Sequence, residues 1–483
     1  MSKKITIEPV TRVEGHGKVT IYMDDQNNVR ESRLHIVEFR GFERFVQGRP
    51  YWEMPVLVQR LCGICPVSHH LAAAKALDVI VGAGPGDGLT AVGEKMRRLM
   101  HYGQFFQSHV LHFFHLSSPD FLFGFDGDPL KRNIIGVAME NRELAMQGVM
   151  MRKFGQEVIR LTAGKKIHGT GAVPGGINKN LTIEERDELL KGADPMNADK
   201  MVDWSVGALD FFKNYHKANR KMVDEFAAFP SNHLSMVRRD GALDIYHGVL
   251  RAVDAEGKTI LHDVDYQNYE KYIEEEVRNW SYMKFPYLKE YGKEKGWYRV
   301  GPLARLNTCD FIPSPLAQKE FEEFKAYTDG KPNNMSLHYH WARLIEVLHC
   351  AEVIRDLLND PDLQNEDLVV KGEKRHRGVG VLEAPRGTLF HHYEINDDDQ
   401  VTLANLIVST TNNNEPMNKA VNHTANAMLN GHAEITEGMM NAVEVAIRAY
   451  DPCLSCATHA LGKMPLEITM INSNNKIVDQ KIK

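Results

Sequence analysis

Cysteine is scarce in this chain, with six residues in 483. So few and so widely scattered, they cannot build the disulfide framework of a small secreted protein, and a reducing cytosol would keep them as thiols. Metal ligation is the better use for them. Long uncharged apolar runs are missing as well, which excludes a membrane-spanning helix. The start, Met1-Ser2-Lys3-Lys4, runs straight into the alternating Ile5-Thr6-Ile7-Glu8-Pro9 without the apolar core of a secretory signal. A soluble, cytoplasmic protein is expected. No clustered Lys/Arg tract accompanies the net charge of −6, so nucleic acid is excluded as a partner for want of an electrostatic footprint. Internal repeats and low-complexity segments are absent too. What remains, 43% hydrophobic and 25% charged residues, is the composition of a chain with a sizeable buried core.

Four of the six cysteines fall in two C-x-x-C pairs, Cys62-Gly63-Ile64-Cys65 and Cys453-Leu454-Ser455-Cys456, near opposite ends of the chain. Each pair can give two sulfurs to one metal, and both together make a four-thiolate site if the fold joins them. The chain would then be one body, 1–483, closed around its two ends. Four thiolates bring four negative charges, which need a soft, highly charged centre away from water. On spacing alone a structural zinc site and a redox-active site stand about even. Cys309 and Cys350 have no C-x-x-C neighbour and read as buried structural thiols.

The fold class expected is mainly α with small peripheral β-sheets, around a helical bundle. Residues 5–40 alternate apolar and polar about a turn at Asp24–Asn28, so an N-terminal sheet is predicted over about 1–50. Helical periodicity marks 51–59, 67–81, 90–116, 132–163 and 198–228, giving a bundle over 51–230. From 232 to 300 the chain is strand-like and charged, and reads as an appended β-rich surface region. The part from 301 to 459 holds helices at 315–329, 337–358, 416–430 and 435–449, and strands at 378–408 broken by Pro385-Arg386-Gly387. A hairpin is expected in the tail, 460–483. His109, His112 and His115 share a helical face and read as core residues.

Arg12-Val13-Glu14-Gly15-His16, Arg40-Gly41-Phe42-Glu43, the two cysteine pairs, Glu383-Ala384-Pro385-Arg386-Gly387 and Asp451-Pro452-Cys453 together resemble the large, catalytic subunit of the [NiFe]-hydrogenases. Val300–Asn307 and Thr388–Tyr393 look most like its cytoplasmic bidirectional, NAD-linked (Hox-type) class. The resemblance implies that all four thiolates, Cys62, Cys65, Cys453 and Cys456, bind Ni. Cys65 and Cys456 would bridge to an Fe that carries CO and cyanide. H2 would be split heterolytically, with the proton going to Cys453 and then to Glu14, a carboxyl group beside a thiol that can pass a proton outward. Arg386 would lie over the open metal face, anchored by Asp120 and Asp451, with Pro385 beside it at the cofactor. His69 would donate a hydrogen bond to a cysteine sulfur. Glu43 and His459 resemble ligands of a structural Mg.

No cysteines remain for an Fe-S wire, so the resemblance implies a small Fe-S subunit and, if NAD is the acceptor, flavin-bearing diaphorase subunits. Fe-S clusters and flavin would sit only in those partners. A maturation endopeptidase and nickel-insertion proteins are implied too, the former cutting after His459 and releasing Ala460–Lys483. Until then the tail would hold Cys453 and Cys456 away from the site. The competing readings are a hydrogenase of another cytoplasmic class, linked to a deazaflavin, a disulfide reductase or ferredoxin; the metal-free quinone-site subunit of respiratory Complex I, opposed by the four cysteines; and a structural four-cysteine zinc protein.

Overall fold

A computed structural model describes residues 3–83, 88–458, 467–471 and 477–482. Lys3–Ile7, Gly17–Met23 and Val29–Ile36 form an antiparallel sheet in that order, as the alternation predicts. Its inner face carries Val19, Ile21 and Leu34, fully buried against the main core.

Thr90 caps the long helix Ala91–Leu111 by accepting a hydrogen bond from the Gly93 amide. A π-helical segment, His112–Ser117, carries the chain on into Ser118–Phe123. The predicted 132–163 helix is instead two, Ile134–Glu140 and Arg142–Ala163, because the Asn141 side chain caps the second by accepting from the Leu144 amide. Ala91–Leu111 packs against Arg142–Ala163 and against His338–Leu358, which also packs on Ala198–Ala218. These four helices are the bundle.

The 232–300 stretch is docked into the body rather than appended to it. Its main sheet runs Tyr298–Arg299, Asn232–Val237, Val249–Val253, Thr259–Val264. Leu234, Met236 and Leu250 are fully buried in one cluster with Val379, Val381 and Phe390. Those last three belong to a second sheet, Arg377–Ala384, Gly387–Ile395 and Val401–Ile407, all antiparallel. Ala384 pairs with Gly387, leaving Pro385-Arg386 as a two-residue turn.

Helix Pro66–Ile80 is buried along its whole length and lies across that hairpin. Its Ala72, Ala73, Ala74 and Ala76 let it approach closely. Asn414–Leu429 and Glu437–Arg448 lead to the second cysteine pair. In the tail, Glu467–Ile471 and Ile477–Ile482 pair antiparallel, as the hairpin expectation requires.

Candidate metal centre

Cys65 is the N-cap of helix Pro66–Ile80, and the 3-10 turn Val58–Leu61 delivers the chain to Cys62. Arg40 holds that turn by donating to the Leu61 and Arg60 carbonyls at 2.8 and 2.9 Å. The Ile64 and Cys65 amides point at Cys62 Sγ from 3.2 and 3.1 Å. Burial alone would raise the Cys62 pKa, but the Cys65 thiol, Arg386 and the Cys65 amide favour its thiolate and hold the value below the ordinary one. Cys65, donating to that thiolate and buried beside it, is pushed well above the ordinary value.

The second pair arrives on a loop sewn to the N-terminus. Cys453 forms an isolated parallel bridge with Glu14, and the Leu454 amide donates to the Glu14 carbonyl at 2.9 Å. Thr410 Oγ1 accepts from the Cys453 amide at 3.0 Å. Gly15 has φ +82°, and a Cβ there would lie 2.6 Å from the Ser455 nitrogen, so only glycine allows the two loops to touch.

These contacts join the two ends. Ligand atoms of Cys62, Cys65, Cys453 and Cys456 all lie within 4.8 Å of one another, and all four residues are buried. Cys62 Sγ is 3.3 Å from Cys453 Sγ, and Cys65 Sγ is 4.0 Å from Cys456 Sγ. The expectation of free thiols holds at Cys62 and Cys65 and needs correction at Cys453 and Cys456, which are joined as a disulfide. Their Cα atoms are 5.7 Å apart, within disulfide reach, and the pair can act as two metal-ligating thiolates only with that bond reduced. With the strands Glu467–Ile471 and Ile477–Ile482 in the chain, the four sulfurs already lie together.

Two ionisable groups flank the sulfurs. Glu14 Oε2 lies 2.9 Å from Cys453 Sγ and accepts from the Ser455 amide at 3.2 Å, while Oε1 takes a short bond from Ser455 Oγ. Arg386, 2% exposed, donates from Nη2 to Asp451 Oδ1 at 2.9 Å and from Nη1 to Ser108 Oγ at 3.4 Å. Burial opposes its charge, yet Asp451 and the nearby sulfurs of Cys65 and Cys62 keep its pKa above the ordinary value.

A family profile of nickel-dependent hydrogenases matches residues 40–124 and 242–459, and a HoxL-like profile matches 4–39. The beta subunit of the NAD-reducing hydrogenase HoxS of Cupriavidus necator is 52% identical over 487 residues, covering the whole of both chains. The chain belongs to the nickel-dependent hydrogenase family. A crystal structure of an NAD+-reducing [NiFe]-hydrogenase in the H2-reduced state superposes with TM-score 0.91 at 54% identity, over 95% of this chain and 99% of that one. The Ni-Fe-Se hydrogenase of D. vulgaris Hildenborough shares the fold, with TM-score 0.74 at 24% identity over 95% and 100%.

In this hydrogenase the donor set suits a soft metal: four sulfurs converge, and Arg386 Nε and Asp451 Oδ2 are buried without a hydrogen-bond partner. Of the other predicted residues, Pro385 is buried in the turn and its carbonyl accepts from Arg305 at 3.1 Å. Asp120 does not anchor Arg386. It faces Arg12, which donates at 3.0 Å to Oδ2 and also to Oδ1, and Arg448 at 2.6 Å. Those two guanidiniums are nearer and satisfy both oxygens. His69 meets Nε2 of His391 through its Nδ1 at 3.1 Å, which leaves Nε2 as the ring atom for the expected sulfur contact. Burial pushes the His69 pKa down to about 3, so the ring is neutral. Glu43 is buried, with Oε1 accepting from the Leu406 amide at 2.9 Å, and His459 lies outside the described residues. His109 pairs with Glu346 at 2.8 Å and His112 Nε2 meets the Arg448 carbonyl at 2.8 Å; both are buried, and neither belongs to a cluster that could hold a metal among the described residues.

Sequence reasoning missed a second cluster, His216, Asp224 and His338, with both Nε2 atoms on Asp224 Oδ1 at 2.8 and 3.1 Å. Asn333 accepts from the Met335 amide at 3.0 Å and donates to His338 Nδ1 at 2.7 Å. That leaves the His338 proton on Nε2, donated to Asp224, so the cluster is a hydrogen-bonded one. Nothing in the spacing of the three residues signals it.

Proposed function

We propose that this chain is the catalytic subunit of a cytoplasmic NAD-reducing [NiFe]-hydrogenase that cleaves H2 reversibly and passes electrons to an Fe-S partner subunit. The observation that carries the reading is the convergence of four buried sulfurs between a carboxylate that touches one of them, Glu14, and a buried guanidinium, Arg386. The name of the Cupriavidus necator relative supports the NAD linkage, and no helix among the described residues is long and apolar enough to cross a membrane.

Cys62, Cys65, Cys453 and Cys456 would hold nickel, with Cys65 and Cys456 also holding an iron that bears CO and cyanide. Once bound, that pair supplies the Lewis acidity that polarises H2. Cys453 takes the proton, and Glu14 Oε2 is in position to receive it across 2.9 Å. Ser455 fixes both carboxylate oxygens, so the acceptor is aimed before the proton arrives. Arg386, steadied by Asp451, places a fixed positive charge at the site. Asp120 supports Arg12, two residues from Glu14, and His69 orders its neighbour His391.

Glu43 and His459 would hold a structural Mg. Maturation would require nickel-insertion proteins and an endopeptidase that removes Ala460–Lys483. Cys309 and Cys350 are single and buried, so the electrons leave through a small Fe-S subunit and flavin-bearing diaphorase subunits. Elemental analysis and infrared spectroscopy of the purified assembly test the reading. Nickel, iron, CO and cyanide bands and H2-dependent NAD+ reduction are expected; one zinc per chain without them would overturn it.

A further inference from the structure

The Arg386 side chain is held by one strong bond, to Asp451, and a long one to Ser108. Its aim therefore depends on the backbone of the Pro385-Arg386 turn. One side of that turn is fixed by contact: a Cβ on Gly387, at φ +139°, would lie 2.2 Å from Val300 Cγ2, and one on Gly301 would lie 2.9 Å from the Arg386 carbonyl oxygen. The turn cannot move toward 300–301.

The other side is fixed by Arg305, on helix Pro302–Thr308. All five of its N–H groups are used, and its side chain is fully buried. Nε and Nη2 grip Glu346 at 2.6 and 2.7 Å, and Nη1 reaches Glu383 at 2.8 Å. The remaining two donate to the carbonyls of Ala384 at 3.0 Å and Pro385 at 3.1 Å, the two residues just before Arg386. A guanidinium kept only to neutralise Glu346 would need the bidentate pair alone. The rest of the fork is directed at the turn, and His109 on Glu346 Oε2 ties the arrangement to the bundle.

We infer that Arg305 is the positioning residue for Arg386, clamping the Pro385-Arg386 turn so that the guanidinium stays over the sulfur site. The inference rests on the catalytic reading of Arg386 given above. Lysine has three donors and no planar fork, so it cannot grip Glu346 and both carbonyls at once.

The test is a double-mutant cycle in the assembled enzyme, with nickel and iron content measured for every variant. Arg305→Lys should keep both metals, raise amide hydrogen exchange in 384–388 and lower H2 turnover by about tenfold or more. In an Arg386→Lys background the same change should cost less than about twofold, because the group it aims is already gone. Equal losses in both backgrounds, or no loss in the first, would overturn the clamp. Full turnover of Arg386→Lys alone would instead overturn the reading of Arg386. Glu346→Gln, which removes the charge that seats Arg305 but keeps its shape, should reproduce the effect more weakly; if both Glu346→Gln and Arg305→Lys fail to assemble, Arg305 serves folding only and the proposal fails.

Discussion

Glu14→Gln separates proton transfer from site architecture. In the structure Oε2 faces Cys453 Sγ at 2.9 Å and the Ser455 amide at 3.2 Å, and Oε1 faces Ser455 Oγ. Glutamine placed with its oxygen toward Ser455 N keeps the first two contacts, and its amide can donate to the hydroxyl that formerly donated to it. The Leu454 amide still binds the residue 14 carbonyl. The stability change should therefore be no more than about 1 kcal/mol. An amide cannot hold and release a proton near neutral pH, so the whole contribution of a positioned acid–base group, about 10²- to 10⁴-fold in rate, should vanish. At 25 °C that is about 3–5 kcal/mol in the barrier, well above the stability term. Exchange between D2 and water, which needs no electron exit, is the direct assay, run beside H2-dependent NAD+ reduction and metal analysis. Exchange within threefold of wild type at full nickel and iron content would remove Glu14 from the pathway.

Arg386→Lys should retain the metals and lose turnover by about 10- to 100-fold, the worth of a charge-assisted hydrogen bond; loss of nickel instead would make Arg386 structural. Gly15→Ala forces a side chain against the Ser455 nitrogen at a positive φ, and should lower stability by about 2 kcal/mol or more in denaturant unfolding. Acid should unfold the protein early. Burial pushes His69 and His233 down to about 3, and His70, His101, His109 and His349 to about 4. All six rings are neutral when folded but bind protons when unfolded below about pH 6.5, so stability is complete above that value and is lost as pH falls toward 4. A melting temperature that is flat from pH 7 to 4.5 would contradict this.

The site was legible from the residues to an unequal degree. Two C-x-x-C pairs predict their own convergence, because thiolates are costly to bury singly, and the alanine-rich run after Cys65 predicts the helix that positions the first pair. The Pro385-Arg386 turn shows in the sequence as a break between strands. Asp120 was misassigned because a carboxylate takes the nearest guanidinium, and Arg12, Arg386 and Arg448 are indistinguishable until folded. The contact of His69 with His391 is equally invisible in the sequence, because His391 comes from a distant strand. The 232–300 stretch resembles a surface sheet because a strand docked on another sheet alternates as an exposed one does. Asn141 breaks a helix through one side-chain hydrogen bond, which periodicity averages away.

Because Cys62 and Cys65 meet Cys453 and Cys456 only across almost the full sequence, timing on the ribosome is set by the fold. At typical elongation rates the first pair waits on the order of 20–80 s for the second to be made. Through that interval it is a lone dithiol at the head of a helix whose covering strands, Arg377–Ala384 and Gly387–Ile395, are themselves made late, with neither the Glu14 bridge nor the Asp451 contact in existence. Metal delivery to a complete donor set is thus a post-translational event, and a chain truncated anywhere before Cys453 carries half a site that no later folding can finish.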